Sequence, residues 1–210
     1  MKKIKHLNIR ENMKISELVE EMKDIGFGAR KIGEASDVLR KMIEDKECRV
    51  FLGVAGAMVP GGMKNIIVDI LKSNSVDILV TTGANLTHDL IEALGNSHYI
   101  GNELENDKNL NEKNIDRIYN VYMKNEVYMS MENFFKDNFS EFEECESIKD
   151  FLWKIGEVLS KNYSNQSTAL PRPLTSKNLD SKSEIYFNKG ILQICFEKKI
   201  PIFCPGIADS

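Results

Sequence analysis

Apolar residues recur at helical spacing in two stretches near the start of the chain: Ile15, Leu18, Val19 and Met22, then Val38, Leu39, Met42 and Ile43. The first pattern predicts a helix over Ile15 to Lys23 and the second a helix over about Gly33 to Asp45. Gly26-Phe27-Gly28 reads as the turn between them. The pattern then changes to short uninterrupted apolar runs. Arg49-Val50-Phe51-Leu52-Gly53-Val54-Ala55-Gly56 and Val76-Asp77-Ile78-Leu79-Val80-Thr81-Thr82 fit strands buried on both faces. Each is followed by a helical stretch, about Gly62 to Ser73 and then Asp89 to Leu94. Strand, helix, strand, helix is the rhythm of a parallel sheet with crossover helices.

Beyond this, Tyr99-Ile100 and Arg117 to Val121 read as weaker strands, and Glu126 to Lys161 as mostly helical. From Asn162 to about Ser181 the chain turns to Ser, Asn, Pro and Thr. Pro171-Arg172-Pro173 forbids a regular helix there, so a loop is expected. A last helix over Glu184 to Lys198 leads to a strand at Ile200-Pro201-Ile202-Phe203-Cys204-Pro205. The fold expected is a single α/β domain over residues 1–210, with a parallel sheet carrying helices on both faces.

Composition narrows the class. A hydrophobic fraction of 42% beside 29% charge is that of an ordinary globular chain. No apolar run reaches the roughly 18–20 residues that cross a bilayer, and the Lys-rich start runs into Asn8, Arg10 and Glu11, so a cytoplasmic protein without a membrane partner is expected. A net charge of -4 with scattered basic residues argues against nucleic acid. Cys48, Cys145, Cys195 and Cys204 form no CxxC pair and have no neighbouring histidine, which points to buried thiols rather than a zinc site or disulfide framework.

Candidate chemistry gathers where strands end, because ligands of open α/β sheets bind beyond the carboxyl ends of the strands. Three segments hold that position: Gly53 to Gly62 after the first strand, Thr81 to Asp89 after the second, and Cys204 to Ser210 after the last. Glycines at strand ends also serve simply to turn the chain. None of the segments has the GxGxxG or GxxxxGK[ST] spacing, so a nucleotide site here has to be non-standard. His88 can titrate near neutrality, or can be a helix-start residue bonding local backbone. Asp209 can meet a ribose hydroxyl or an amine, or cap a following helix. No partner is evident for His6 or His98.

Taken in order, these segments resemble the deoxyhypusine synthase family, as do Val76-Asp77-Ile78-Leu79-Val80-Thr81-Thr82-Gly83 and Asn114-Ile115-Asp116-Arg117-Ile118-Tyr119-Asn120. The resemblance runs from Gly26-Phe27-Gly28-Ala29 to Ile200-Pro201-Ile202-Phe203-Cys204-Pro205. It implies a Rossmann-like sheet, a tetramer with active sites between subunits, and NAD as cofactor. It also implies spermidine as donor of an aminobutyl group, passed through an enzyme lysine to a lysine of a translation initiation factor precursor. By resemblance, Gly56, Ala57, Met58, Val59 and Pro60 match one loop that contacts NAD, Thr82, Gly83 and Ala84 match a second, and Asp209 matches an aspartate beside the cofactor.

Thr87 and His88 stand where many eukaryotic members carry two glutamates that meet NAD and the spermidine amines. The Thr87-His88 variant is similar to archaeal and bacterial members, and both residues are expected at the substrate, His88 also at the cofactor. Transfer to a small amine, as in homospermidine synthesis, is an alternative reading. The family's catalytic lysine lies in a segment that would follow Ser210, so the chain is expected to be the N-terminal portion of the fold. It would then work with a complementing chain, or serve as a non-catalytic regulatory or assembly subunit.

Overall fold

The computed structural model describes residues 1–166 and 189–207 of the chain, which divides into two compact units, Met1–Val50 and Phe51–Ser210. The first unit is a pair of helices, α1 (Ile15–Met22) and α2 (Phe27–Glu44). Helix α2 begins six residues before the expected Gly33, with Gly26 as its N-cap, so the expected turn is already helical at Phe27. Gly33 permits the close approach of the two helices: a Cβ there would come within 3.0 Å of the Val19 carbonyl oxygen and 2.9 Å of the Lys23 nitrogen. Asp24 accepts ion pairs from Lys2 and Lys5.

The second unit opens with strand β1 (Phe51–Val54), a wide helical turn (Val59–Met63) and helix α3 (Lys64–Lys72). Strand β2 (Ile78–Thr81) and helix α4 (Gly83–Ala93) follow. Strand β6 (Ile202–Phe203) comes last. These three strands form a parallel sheet in the order β1-β2-β6, with Phe51 opposite Ile78 and Leu79 opposite Ile202. The parallel sheet expected from the apolar runs is therefore present.

Strand β1 departs from expectation. Among the described residues it pairs with β2 alone, Phe51 is 62% exposed and Gly53 is exposed, so there it is a sheet edge rather than a strand buried on both faces. An apolar run records what a strand is made of, and its number of neighbours is decided by other segments.

The weaker strands build a separate sheet. Strands β3 (Tyr99–Ile100), β4 (Ile115–Ile118) and β5 (Val121–Lys124) are antiparallel, in the order β3-β5-β4. The expected strand over Arg117 to Val121 is the tip of a hairpin, which turns at Tyr119-Asn120 with Tyr119 at φ 56°. That turn lacks the Asn-Gly or Asp-Gly pair by which such hairpins are usually read.

The mostly helical region contains α6 (Glu126–Asp137), α7 (Phe139–Phe142) and α8 (Ile148–Gln166), after a short α5 (Asp107–Glu112). Phe134, Phe135, Phe142 and Phe151 stack as one aromatic group across α6, α7 and α8. Helix α8 continues five residues past the expected end at Lys161, and the Pro-rich stretch lies outside the described residues.

Helix α9 (Ile191–Lys198) has Gly190 as its N-cap, and the expected start at Glu184 lies outside the described residues. It packs against α8, α3 and α4. Gly156 of α8 faces the Leu192 carbonyl so closely that a Cβ would lie 2.3 Å from its oxygen. The Trp153 indole N–H donates to the Ile200 carbonyl at 2.8 Å, fixing α8 to the approach of β6. Leu71, Leu79, Ile91, Leu152, Leu192, Ile194 and Ile202 are fully buried, each contributing about 1.5–3 kcal/mol through lost contact with water.

Of the four thiols, Cys195 and Cys204 are buried, whereas Cys48 and Cys145 are half-buried, which corrects the expectation for those two. No helix among the described residues is long and apolar enough to cross a membrane.

Candidate functional site

The strands of the parallel sheet point their carboxyl ends into one open cleft of about 740 Å³. Its walls are Gly53, Val54 and Ala55 at the end of β1, Val80 to Ala84 at the end of β2, and Pro205 and Gly206 after β6. All three strand-end segments singled out in the sequence thus meet at one site. The walls are mostly small and apolar, which lets a ligand reach the backbone.

Both hydroxyls in the wall are engaged. Thr81 Oγ1 donates to the Val54 carbonyl at 2.9 Å, and Thr82 Oγ1 accepts from Asn85 Nδ2 at 3.3 Å. Helix α4 begins at the cleft floor. Thr82 is its N-cap, with extended backbone and no side-chain cap bond to the first helical N–H groups. The expected Gly-Ala-Asn turn is instead the first turn of this helix, which starts six residues before Asp89. The early start is stabilised by Asn85, whose side chain finds its partners outside the helix.

Asn85 is fully buried and ties two of the strand-end segments together. Its Oδ1 accepts from the Met58 and Val59 N–H groups at 3.1 and 3.3 Å, and its Nδ2 donates to the Val54 carbonyl at 3.4 Å. Val59 and Pro60 are buried, while Gly56, Ala57 and Met58 remain exposed, with Gly56 at φ 71°. The segment Gly56 to Pro60 therefore stands outside the cleft lining, and two of its N–H groups are held by Asn85. Asp209 lies outside the described residues.

Thr87 and His88 follow Gly83 and Ala84 by four residues, one helical turn along the same faces of α4. Neither is among the residues that line the cleft. His88 is inside the helix, not at its start. Its Nδ1 is 2.9 Å from His98 Nε2, and His98 Nδ1 is 2.8 Å from Glu92 Oε1. Glu92 Oε2 in turn pairs with Lys64 at the start of α3. The His98 side chain is only 6% exposed.

Burial, then the neighbouring His98, hold the His88 imidazole below its ordinary pKa. Burial works to raise the Glu92 carboxyl, but the hydrogen bond from His98 and the ion pair with Lys64 outweigh it and keep that carboxyl below the ordinary range.

Asp89, beside His88, faces the other way. It is fully buried and accepts the Ile191 and Leu192 N–H groups at 2.8 and 3.0 Å, so it supplies the cap that Gly190 lacks. Burial pushes its carboxyl up to about 6, against those two hydrogen bonds.

Sequence reasoning missed Glu92, His98 and Lys64 as members of this region, and placed Asn85 and Asp89 in it without the contacts they make. One signal was available: once the helix is started at Gly83, His88 and Glu92 are four residues apart and share a face. His98 is joined to them only by the fold.

Fold and cleft together define a mixed α/β protein with an open cleft beyond the carboxyl ends of a parallel sheet. The family model for deoxyhypusine synthase matches residues 17–210. The chain belongs to the deoxyhypusine synthase family.

It is 37% identical over 208 residues to a protein named probable deoxyhypusine synthase 1 of Methanosarcina mazei, covering 99% of this chain and 57% of that one. It is 31% identical over 202 residues to the protein of that name in Archaeoglobus fulgidus, covering 96% and 58%. A deoxyhypusine synthase-like protein of Chlorobaculum parvum is 32% identical over 208 residues, with 98% and 53% covered. The chain thus spans somewhat more than half the length of these relatives. A crystal structure assigned to a deoxyhypusine synthase of Entamoeba histolytica shares the fold at a TM-score of 0.58 and 17% identity, covering 98% of this chain and 63% of that one.

Proposed function

We propose that this chain carries the cofactor cleft for NAD-dependent transfer of the aminobutyl group of spermidine to a lysine of a translation initiation factor precursor. The observation that carries the reading is the convergence of Gly53 to Ala55, Val80 to Ala84 and Pro205-Gly206 on one cleft in a chain of this family.

The cleft is suited to a dinucleotide in size and in chemistry. Its volume is within the roughly 300–1,000 Å³ of small-molecule sites. Small residues let an extended cofactor lie against backbone, and the uncapped first turn of α4 offers N–H groups and the positive end of a helix dipole to a pyrophosphate. In this reading Thr82, Gly83 and Ala84 hold the cofactor directly. Gly56, Ala57 and Met58 border it, while Val59 and Pro60 anchor their loop in the core, and Asp209 meets the ribose. NAD, when bound, supplies a hydride acceptor for oxidation of the donor amine. Asn85 keeps the two loops at their separation, and Thr87 and His88 orient the amine one turn further along α4.

The test is to titrate NAD into the native protein by calorimetry and to follow spermidine-dependent NADH formation. Ala84 is exposed in the cleft wall, so Ala84→Trp fills the site without entering the core. Saturable binding by the native protein, lost in Ala84→Trp, is expected. Equal binding by both proteins would move the cofactor elsewhere, and no binding by native protein together with no NADH formation would remove the proposal.

A further inference from the structure

We propose that Lys64, Glu92 and His98 are positioning residues that hold His88 in its Nδ1–H tautomer, leaving Nε2 as a bare acceptor for an ammonium group of the substrate. The amine follows from the reading of the cleft as a polyamine site, and the tautomer follows from the hydrogen bonds with His98 neutral.

The inference starts at Lys64. Its ammonium pairs with Glu92 Oε2, so the carboxylate is anionic and can only accept. Glu92 Oε1 therefore accepts from His98 Nδ1, which must carry a hydrogen. A neutral imidazole with Nδ1–H has a lone pair on Nε2, and that atom is 2.9 Å from His88 Nδ1. His98 Nε2 then accepts, His88 Nδ1 donates, and the lone pair of His88 is left on Nε2. Among the described residues, His88 Nε2 makes no hydrogen bond.

Each link is fixed by its neighbour, and the chain runs from α3 through α4 to the segment before β3. A histidine free in water favours the opposite tautomer, so this arrangement has to be held by the protein.

Among the described residues, no other charge competes for His88. Asp89 spends both carboxylate oxygens on Ile191 and Leu192. The α6 side of α4 presents apolar Val127, which clusters with Ile91 and Met123, while Glu126 and Glu132 pair with Lys124 and Lys136. From α9, the thiol near Asp89 is that of Cys195, which burial keeps protonated. A half-buried imidazole with its lone pair on Nε2 is a neutral acceptor. It can bind an ammonium hydrogen without the desolvation cost that a carboxylate pays in the same position.

The experiment is nitrogen NMR of the native protein labelled at histidine. The chain has three histidines, so His6→Gln and His98→Gln complete the assignment. The native protein is expected to show His88 protonated at Nδ1 and bare at Nε2. In His98→Gln and in Glu92→Gln that state should be lost in favour of the Nε2–H tautomer, and addition of spermidine with NAD should shift the Nε2 resonance of native protein. An Nε2–H His88 in the native protein, or an unchanged His88 in both variants, overturns the positioning chain. An Nε2 resonance unmoved by spermidine in a protein that turns it over overturns the acceptor role. Absence of both NAD binding and spermidine-dependent NADH formation, with the tautomer present in native protein and lost in both variants, would sink the transferase reading while supporting the positioning chain.

Discussion

Asn85 and Asp89 lie on one helix, four residues apart, and both are fully buried. They are buried for opposite electrostatic circumstances. Asn85 is neutral, and removing its amide strands the N–H groups of Met58 and Val59. Asn85→Ala is expected to cost about 1–3 kcal/mol, the penalty for leaving a buried donor unpaired, measured by urea denaturation. Asn85→Asp retains the acceptor and should lose less through those two bonds.

Asp89 can ionise, and its carboxyl is raised to about 6 in the fold against an unperturbed value of 3.8. The folded protein therefore holds this proton more tightly than the unfolded chain. The stability contributed is fully present below pH 3.8 and is lost as pH rises through 6. Measured relative to Asp89→Asn, the native protein should lose stability from about pH 4 to about pH 6 and level off above. A difference that is flat, or that rises over that window, would show that the two backbone N–H groups outweigh burial. Neither role was legible in the sequence. Asn85 reads as a turn residue, and the partners of Asp89 are more than a hundred positions away.

At the scale of elements, the helices were legible by their apolar spacing, and their boundaries were less so. Boundaries are decided by caps, and here the decisive caps come from elsewhere in the chain. The carboxylate of Asp89 serves the first N–H groups of α9, so α9 starts at Ile191. The close approach requires Gly190: a Cβ there would stand 2.7 Å from Asp89 Oδ2. Gly190→Ala should displace that carboxylate and destabilise by about 1–3 kcal/mol, the range for overpacking.

Gly156→Ala meets backbone rather than a side chain, at 2.3 Å from the Leu192 carbonyl oxygen, so α8 and α9 must separate and the loss should be larger. Gly28→Ala is the contrasting case. Nothing lies within 4 Å of its Cβ, and as an early α2 residue it should gain up to about 1 kcal/mol from helix propensity. Thermal melts of the three variants check the order. If Gly156→Ala melts with the native protein, the helix contact is looser than described.

For the whole molecule, the exposed edge at β1 is the feature with the clearest consequence. Phe51 is 62% exposed on a strand that, among the described residues, has a neighbour on one side, and such edges favour pairing between chains. Phe51→Lys should lower light scattering at high protein concentration with little change in melting temperature, because the side chain is not in the core. Unchanged scattering would mean that this edge does not drive association.

By itself the sequence determined the parallel sheet, the three strand-end segments and the family, since these follow from local apolar runs and from residues in a fixed order. Only the tertiary structure decided that β1 is an edge, that the weak strands form a second antiparallel sheet, and that Lys64, Glu92, His98 and His88 make one hydrogen-bonded chain. The physical reason is common to all three. Periodicity reports which side of an element avoids water, whereas an edge, a hairpin turn without glycine and a polar contact between distant segments depend on what the rest of the chain brings against it.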